Sequence, residues 1–237
     1  PIFPGSKNFV TALRKQCPEI TTVIQNINPQ KTSMILGERD KVLYGKGYIE
    51  DELLGLTFRL SPASFYQVNA KMTEKLYETA LSFANLTAND TVLDAYCGVG
   101  TIGMAASRSA GQVIGVELNK AAVRDAIANA KRNGIENIRF FADDASDFLL
   151  RVAESGEKLD AVIMDPPRSG STERFLQRAC KVKPKRIVYV SCNPETLARD
   201  LQLLKRWNYH CERIVPIDNF PLTEHLETVC LLSRKDK

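Results

Sequence analysis

From residue 70 onward, short apolar runs alternate with longer amphipathic stretches, and this rhythm confines the chain to a sheet covered by helices. The apolar runs are Thr91–Ala95, Gln112–Glu117, Asn137–Ala142, Ala161–Asp165 and Arg186–Ser191. Between them, Lys71–Ala84 carries Leu76, Ala80 and Phe83 on one side. Ile102–Arg108 and Glu195–Leu204 also have helical character, as does Lys120–Asn133, which is stopped by Gly134. Strict alternation implies a parallel, doubly wound sheet. Arg213–Ile217 and Leu226–Ser233 follow one another with no helix between, so one strand of the sheet should run antiparallel.

The pattern changes near residue 60. Before it, Ile20–Ile27, Thr32–Gly37 and Val42–Tyr48 read as strands, with a helix near Ser6–Gln16. We therefore expect an α/β chain in two parts: residues 1–60 as a small β-rich unit and residues 61–237 as the doubly wound domain. The length of 237 residues suffices for this.

Composition bounds the function. No apolar run can span a bilayer, and no secretory leader opens the chain. It begins at Pro1 without methionine, which we read as a fragment lacking its natural N-terminal part. A net charge of +4 permits nucleic-acid binding without requiring it. The six cysteines show no C-x-x-C spacing, which argues against a zinc ribbon or a local iron–sulfur loop; no metal site is expected. They suit reduced thiols in a cytoplasmic protein, with Cys97, Cys180, Cys211 and Cys230 as small core residues.

Four motifs sit at expected strand ends. In Asp94-Ala95-Tyr96-Cys97-Gly98-Val99-Gly100, the glycines let backbone approach a ligand before a helix N-terminus. Glu117 ends the next strand, where an acidic residue can hold the ribose hydroxyls of a nucleoside; the missing third glycine of the dinucleotide fingerprint tilts the choice away from NAD. Asp165-Pro166-Pro167-Arg168 leaves polar groups at the same edge of the sheet. In Ser191-Cys192-Asn193-Pro194, Asn193 suits a helix N-cap, which places Cys192 where a thiolate is favoured. In His225-Leu226-Glu227-Thr228-Val229, Glu227 stands in an otherwise apolar strand, costly unless partnered, although a solvated strand edge would also account for it.

These motifs, with Ser64-Phe65-Tyr66-Gln67-Val68-Asn69, resemble in order those of the RNA uracil-5-methyltransferase family from about Leu60 to Arg234. The resemblance implies a class I methyltransferase fold and S-adenosylmethionine as methyl donor. It implies donor contacts from Gln67, Tyr96, Glu117 and Asp165, with Thr101 and Asp144 as further ones. It assigns Cys192 as nucleophile and Glu227 as general base, and makes residues 1–60 part of the family's β-rich central domain. The family's N-terminal RNA-binding β-barrel and the 4Fe–4S cysteine cluster of some members are not found in this sequence.

The implied roles agree with the chemistry. Uracil C5 is too weak a nucleophile to attack a sulfonium methyl directly, and thiolate addition at C6 gives it carbanion character. A base must then remove the C5 proton so that the thiolate can leave. The target base must leave its stack, and Phe65 is a candidate to stack on it. The substrate is expected to be RNA, ribosomal RNA in preference to transfer RNA, and the protein a monomer. Of the competing readings, an exocyclic-amine methyltransferase shares Asp-Pro-Pro but usually places an aromatic residue where Arg168 stands. An RNA cytosine-5-methyltransferase usually sets its cysteine after proline or threonine. A non-catalytic RNA-binding module would not need Cys192 and Glu227, and a dehydrogenase would need nicotinamide binding.

Overall fold

The computed structural model describes residues 3–30, 35–37, 39–62 and 64–235. The N-terminal part holds α1 (Ser6–Gln16), β1 (Thr22–Ile27), β2 (Arg39–Gly45), β3 (Ile49–Leu53) and β4 (Leu56–Leu60). After α2 (Ala70–Ala84) the alternation begins: β5 (Thr91–Ala95), α3 (Thr101–Ala106), β6 (Gln112–Glu117), α4 (Lys120–Arg132), β7 (Ile138–Ala142) and α5 (Ala145–Ser155). It continues through β8 (Ala161–Met164), α6 (Glu173–Lys181), β9 (Arg186–Ser191) and α7 (Pro194–Arg206) to β10 (Tyr209–Ile217) and β11 (Glu227–Arg234).

The seven-stranded sheet has the order β10-β11-β9-β8-β5-β6-β7. Strands β5 to β9 pair in parallel, and β11 runs antiparallel to both β9 and β10. This is the expected doubly wound sheet with one reversed strand. Its central strands are buried on both faces: Val92, Val113, Ile163 and Val188 pack on one side, Leu93, Ile114, Val162 and Ile187 on the other. After β7 the chain returns to the opposite side of β5, so the order reverses between β5 and β8. A crevice opens at the carboxyl ends of strands at such a reversal.

The N-terminal part departs from expectation in three places. Residues 32–34 of the expected strand Thr32–Gly37 lie outside the described residues, and Ile35 to Gly37 form a bend and its exit. The strand expected at Val42–Tyr48 lies earlier, at Arg39–Gly45, where it pairs with β1. The hairpin of β3 and β4 gave no sequence signal because its tight turn is Leu54-Gly55, both in the left-handed region at φ 54° and 65°, where Asn-Gly is usual.

That hairpin does not stand free. Leu53, Leu56, Phe58 and Leu60 join the core under α2 and α3. The open edge of β4 is met by side chains of α4. Asn133 accepts from Thr57 N at 2.9 Å and Asn129 from Arg59 N at 2.7 Å, and each donates back to the same residue's carbonyl. Asp125 accepts from Ser61 N at 3.3 Å. Helix residues four apart rise about 6 Å, and strand residues two apart about 6.6 Å, so the two spacings match closely enough for three consecutive contacts.

Cys97, Cys180 and Cys230 are buried as expected, but Cys211 is exposed. It lies on β10, an edge strand beside a register irregularity between Cys211 and Arg213. No described helix is long and apolar enough to cross a membrane.

Candidate active site

The crevice is built from the carboxyl ends of β5, β6, β8 and β9. Leaving β5, Tyr96 takes a left-handed backbone (φ 62°), followed by Gly98 (φ 54°) and Gly100 (φ 85°). A side chain at Gly100 would collide with the Phe140 ring at 2.8 Å, whereas one at Gly98 would meet nothing within 4 Å. Gly100 is thus fixed by packing, and Gly98 borders open space. The loop is anchored from β6: Glu117 accepts from Gly98 N at 3.1 Å and from Asn119 N at 2.7 Å. From below, Asp94 accepts from Gly103 N at 2.7 Å.

Gln67, Tyr96, Thr101 and Asp165 line one narrow cleft with Phe65. Its apolar walls are Leu53, Val99 and Ile102, and Tyr77 closes it beside Thr101, whose hydroxyl lies 3.4 Å from the phenol oxygen. Phe65 is 76% exposed at the rim, an uncommon position for a large apolar ring. Tyr96 packs on Phe175 with ring centroids 5.2 Å apart, and its hydroxyl lies 3.1 Å from the Ser171 hydroxyl. Glu117 and Asp144 lie outside the cleft lining; the Asp144 carboxylate caps α5, accepting from Ser146 N at 2.9 Å and Asp147 N at 3.0 Å.

Cys192 and Glu227 come together through strand register. The last pair of the β9–β11 ladder is Thr228 with Ser191, so the next residue outward on each strand is Glu227 and Cys192. Asn193 caps α7 as expected, with Pro194 in the first turn. Arg168 ties the surrounding loops together. Its carbonyl accepts from Asn193 Nδ2 at 3.2 Å and Thr196 Oγ1 at 3.3 Å, and its guanidinium lies 3.0 Å from His225 Nδ1.

The electrostatics differ from the sequence expectation. The Cys192 thiol is pushed up from its ordinary range, first by burial and then by the Glu227 and Asp165 carboxylates, against a smaller lowering from Arg168. A helix N-terminus alone would have favoured thiolate, but burial, with the two carboxylates behind it, outweighs that. Burial also raises Glu227, which is 3% exposed. Asp165 is pushed up to about 8 by burial, Glu227 and Asp94. Asp94 is pushed up to about 7 by burial and Glu117, although the Gly103 N–H lowers it.

Asp94 carries a stability prediction. Its ordinary value is 3.8 and its folded value about 7, so the unfolded chain releases this proton first as pH rises. Stability should fall between these two values. Thermal unfolding from pH 5 to pH 7 should show that decline, to which the raised Asp165 also contributes, and Asp94→Asn should make it shallower; an unchanged slope would refute the assignment.

Several site residues carried no motif. Asp125 accepts from the Ser64 hydroxyl at 2.9 Å and so holds the segment leading to Phe65 and Gln67. Asp200, fully buried, accepts from Tyr189 Oη at 2.7 Å and Ser171 N at 2.8 Å. Asp125 and Asn129 on α4 and Asn133 at its C-cap stand four apart, a polar stripe that could have signalled a partner.

The family model for tRNA (uracil-5-)-methyltransferases matches residues 12–235. The chain belongs to that family. An uncharacterized RNA methyltransferase of Halalkalibacterium halodurans is 42% identical over 98% of this chain and 51% of its own length. One from Staphylococcus epidermidis is 46% identical over 99% of this chain and 51% of its own. The chain therefore spans about half the length of the curated relatives it matches. The solved Pyrococcus abyssi tRNA (uracil-54, C5)-methyltransferase, in complex with S-adenosyl-L-homocysteine, is 33% identical. It superposes with a TM-score of 0.77 over 90% of this chain and 50% of its own. The tRNA m1G37 methyltransferase of M. jannaschii, at 18% identity and a TM-score of 0.63, shares the fold.

Proposed function

We propose that this chain is the catalytic part of an S-adenosylmethionine-dependent methyltransferase that forms 5-methyluridine in RNA. The observation that carries it is the pairing of Cys192 with Glu227 at the end of the β9–β11 ladder, beside a cleft lined by Gln67, Tyr96, Thr101 and Asp165. We keep the division at residue 60, with residues 1–60 as part of a β-rich central domain and 61–237 as the methyltransferase domain. A monomeric, cytoplasmic protein goes with this reading.

The lining of the cleft suits part of the donor: apolar walls, a few polar groups, and a Gly98 backbone bordering it. Gln67, Tyr96, Thr101, Glu117 and Asp165 would hold it, with Asp144 nearby; it supplies an electrophilic methyl carbon. Phe65 would stack on the extruded uracil. Cys192 would first lose its thiol proton to solvent; its sulfur would then bond to C6 as the C5–C6 π electrons move toward O4, and C5 would thereby become nucleophilic. Once C5 carries the methyl group, Glu227 would take its proton. The released C5–H electron pair would re-form the double bond as the sulfur leaves with the C6–S pair.

Ribosomal RNA is the target class we favour from the sequence. Transfer RNA is the second reading, supported by the Pyrococcus neighbour described as acting on tRNA uracil 54. Incubation with labelled donor and either RNA, followed by nucleoside analysis, separates the two; no 5-methyluridine in either would overturn the function. Glu117→Ala should weaken donor binding about ten- to a hundredfold, since it removes a charged acceptor and releases the Gly98 loop. Calorimetry showing unchanged affinity in a folded variant would remove Glu117 from the donor site.

A further inference from the structure

Asn219 lies in the loop between β10 and β11 and is 1% exposed. Its side-chain amide nitrogen donates to Gln67 Oε1 at 3.3 Å. Its carbonyl accepts from Asn69 Nδ2 at 3.0 Å, while Asn69 Oδ1 caps α2 through Met72 N at 3.3 Å. Its Oδ1 is buried with no hydrogen-bond partner. A buried amide with an unpaired oxygen costs stability, and an apolar side chain would fill the space at less cost. The arrangement therefore points to a role other than packing.

We propose that Asn219 is a positioning residue that sets the orientation of the Gln67 carboxamide. A carboxamide has one oxygen and one nitrogen. With Oε1 engaged by Asn219, Gln67 is left with its Nε2 donors for the cleft, where they select an acceptor atom of the bound molecule. The same loop leads directly to Glu227, and its attachment to Asn69 clamps it on the N-terminus of α2. One buried side chain thus links the segment carrying Gln67 to the segment carrying the proposed base. This inference rests on the reading of Gln67 as a donor contact.

The test uses the full chain and calorimetry with S-adenosylhomocysteine. Asn219→Leu should weaken binding about three- to tenfold, the range of one lost hydrogen bond. Asn219→Asp keeps the shape but cannot donate, so Gln67 must turn its nitrogen away from the cleft, and binding should weaken similarly. If Asn219→Leu does not fold, this second variant decides. Combined with Gln67→Ala, neither substitution should weaken binding beyond Gln67→Ala alone, because both act through one group. A purely structural Asn219 would lower the melting temperature and leave that affinity unmoved. Wild-type affinity in the folded Asn219 variants, beside a weakened Gln67→Ala, overturns this proposal alone, as do additive losses. Unchanged affinity in Gln67→Ala overturns the reading of Gln67 and this proposal with it.

Discussion

Cys192→Ala should abolish both methylated RNA and any covalent protein–RNA complex, a loss of at least about a thousandfold. Glu227→Gln should fail differently. It keeps the nucleophile and nearly the same side-chain shape but cannot accept the C5 proton. A covalent adduct carrying the methyl group should therefore accumulate, visible as a retarded band on a denaturing gel with labelled RNA. RNA containing 5-fluorouridine should trap the unmutated protein for a related reason, since fluorine does not leave as a proton. Mass spectrometry locates the link. Attachment at another cysteine, or full turnover by Cys192→Ala, would overturn the nucleophile; full turnover by Glu227→Gln would move the base elsewhere. Glu227→Gln should also lower the Cys192 thiol toward its ordinary range, because it removes a carboxylate that now raises it. Iodoacetamide should then alkylate Cys192 faster at neutral pH than in the unmutated protein.

Asp200→Ala should produce the largest loss of stability, about 3–5 kcal/mol, because it strips an acceptor from buried partners. Tyr189 Oη at 2.7 Å and Ser171 N at 2.8 Å would lose their partner, and the Arg199 ion pair at 2.7 Å would be lost with them. For a domain of this size the melting temperature should drop roughly 6–20 °C. Asp200→Asn, which retains one oxygen, should cost less. A drop below about 3 °C for Asp200→Ala would show that the three groups find other partners. Ser171 also meets the hydroxyl of the cleft residue Tyr96 at 3.1 Å, so donor affinity should fall in step with stability.

What the sequence made legible follows from periodicity and from chain-local chemistry. β5, β6 and β9 emerge with the ends expected because short apolar runs bounded by polar residues leave little choice of register. Cys192 and Glu227 each stood out as unusual for their surroundings, but their adjacency depends on the β9–β11 register, which pairs residues far apart in the chain. The raised Cys192 thiol was hidden for the same reason: the helix N-terminus is local, whereas its burial and the opposing carboxylates, just after β8 and at the start of β11, come from the fold. Asn219 and Asp200 were invisible because a buried amide or carboxylate in a polar loop or on a helix looks like a solvated one until its partners are known. The β3–β4 hairpin was missed because a leucine occupies a turn position that ordinarily asks for asparagine.

The reversed strand has a consequence for the order in which a ribosome delivers this site. β9 and Cys192 emerge well before β11, and the nascent sheet can assemble its parallel strands while Glu227 is still in the exit tunnel. Until β11 inserts between β9 and β10, the thiol has no carboxylate beside it from that strand. On the proposed mechanism, a chain stalled or truncated before residue 227 would hold the nucleophile and lack the base. Any RNA that it attacked would stay attached, as expected for Glu227→Gln. On that mechanism, placing the base on a late strand would make synthesis of the C-terminal region the step that turns a suicide reagent into a catalyst.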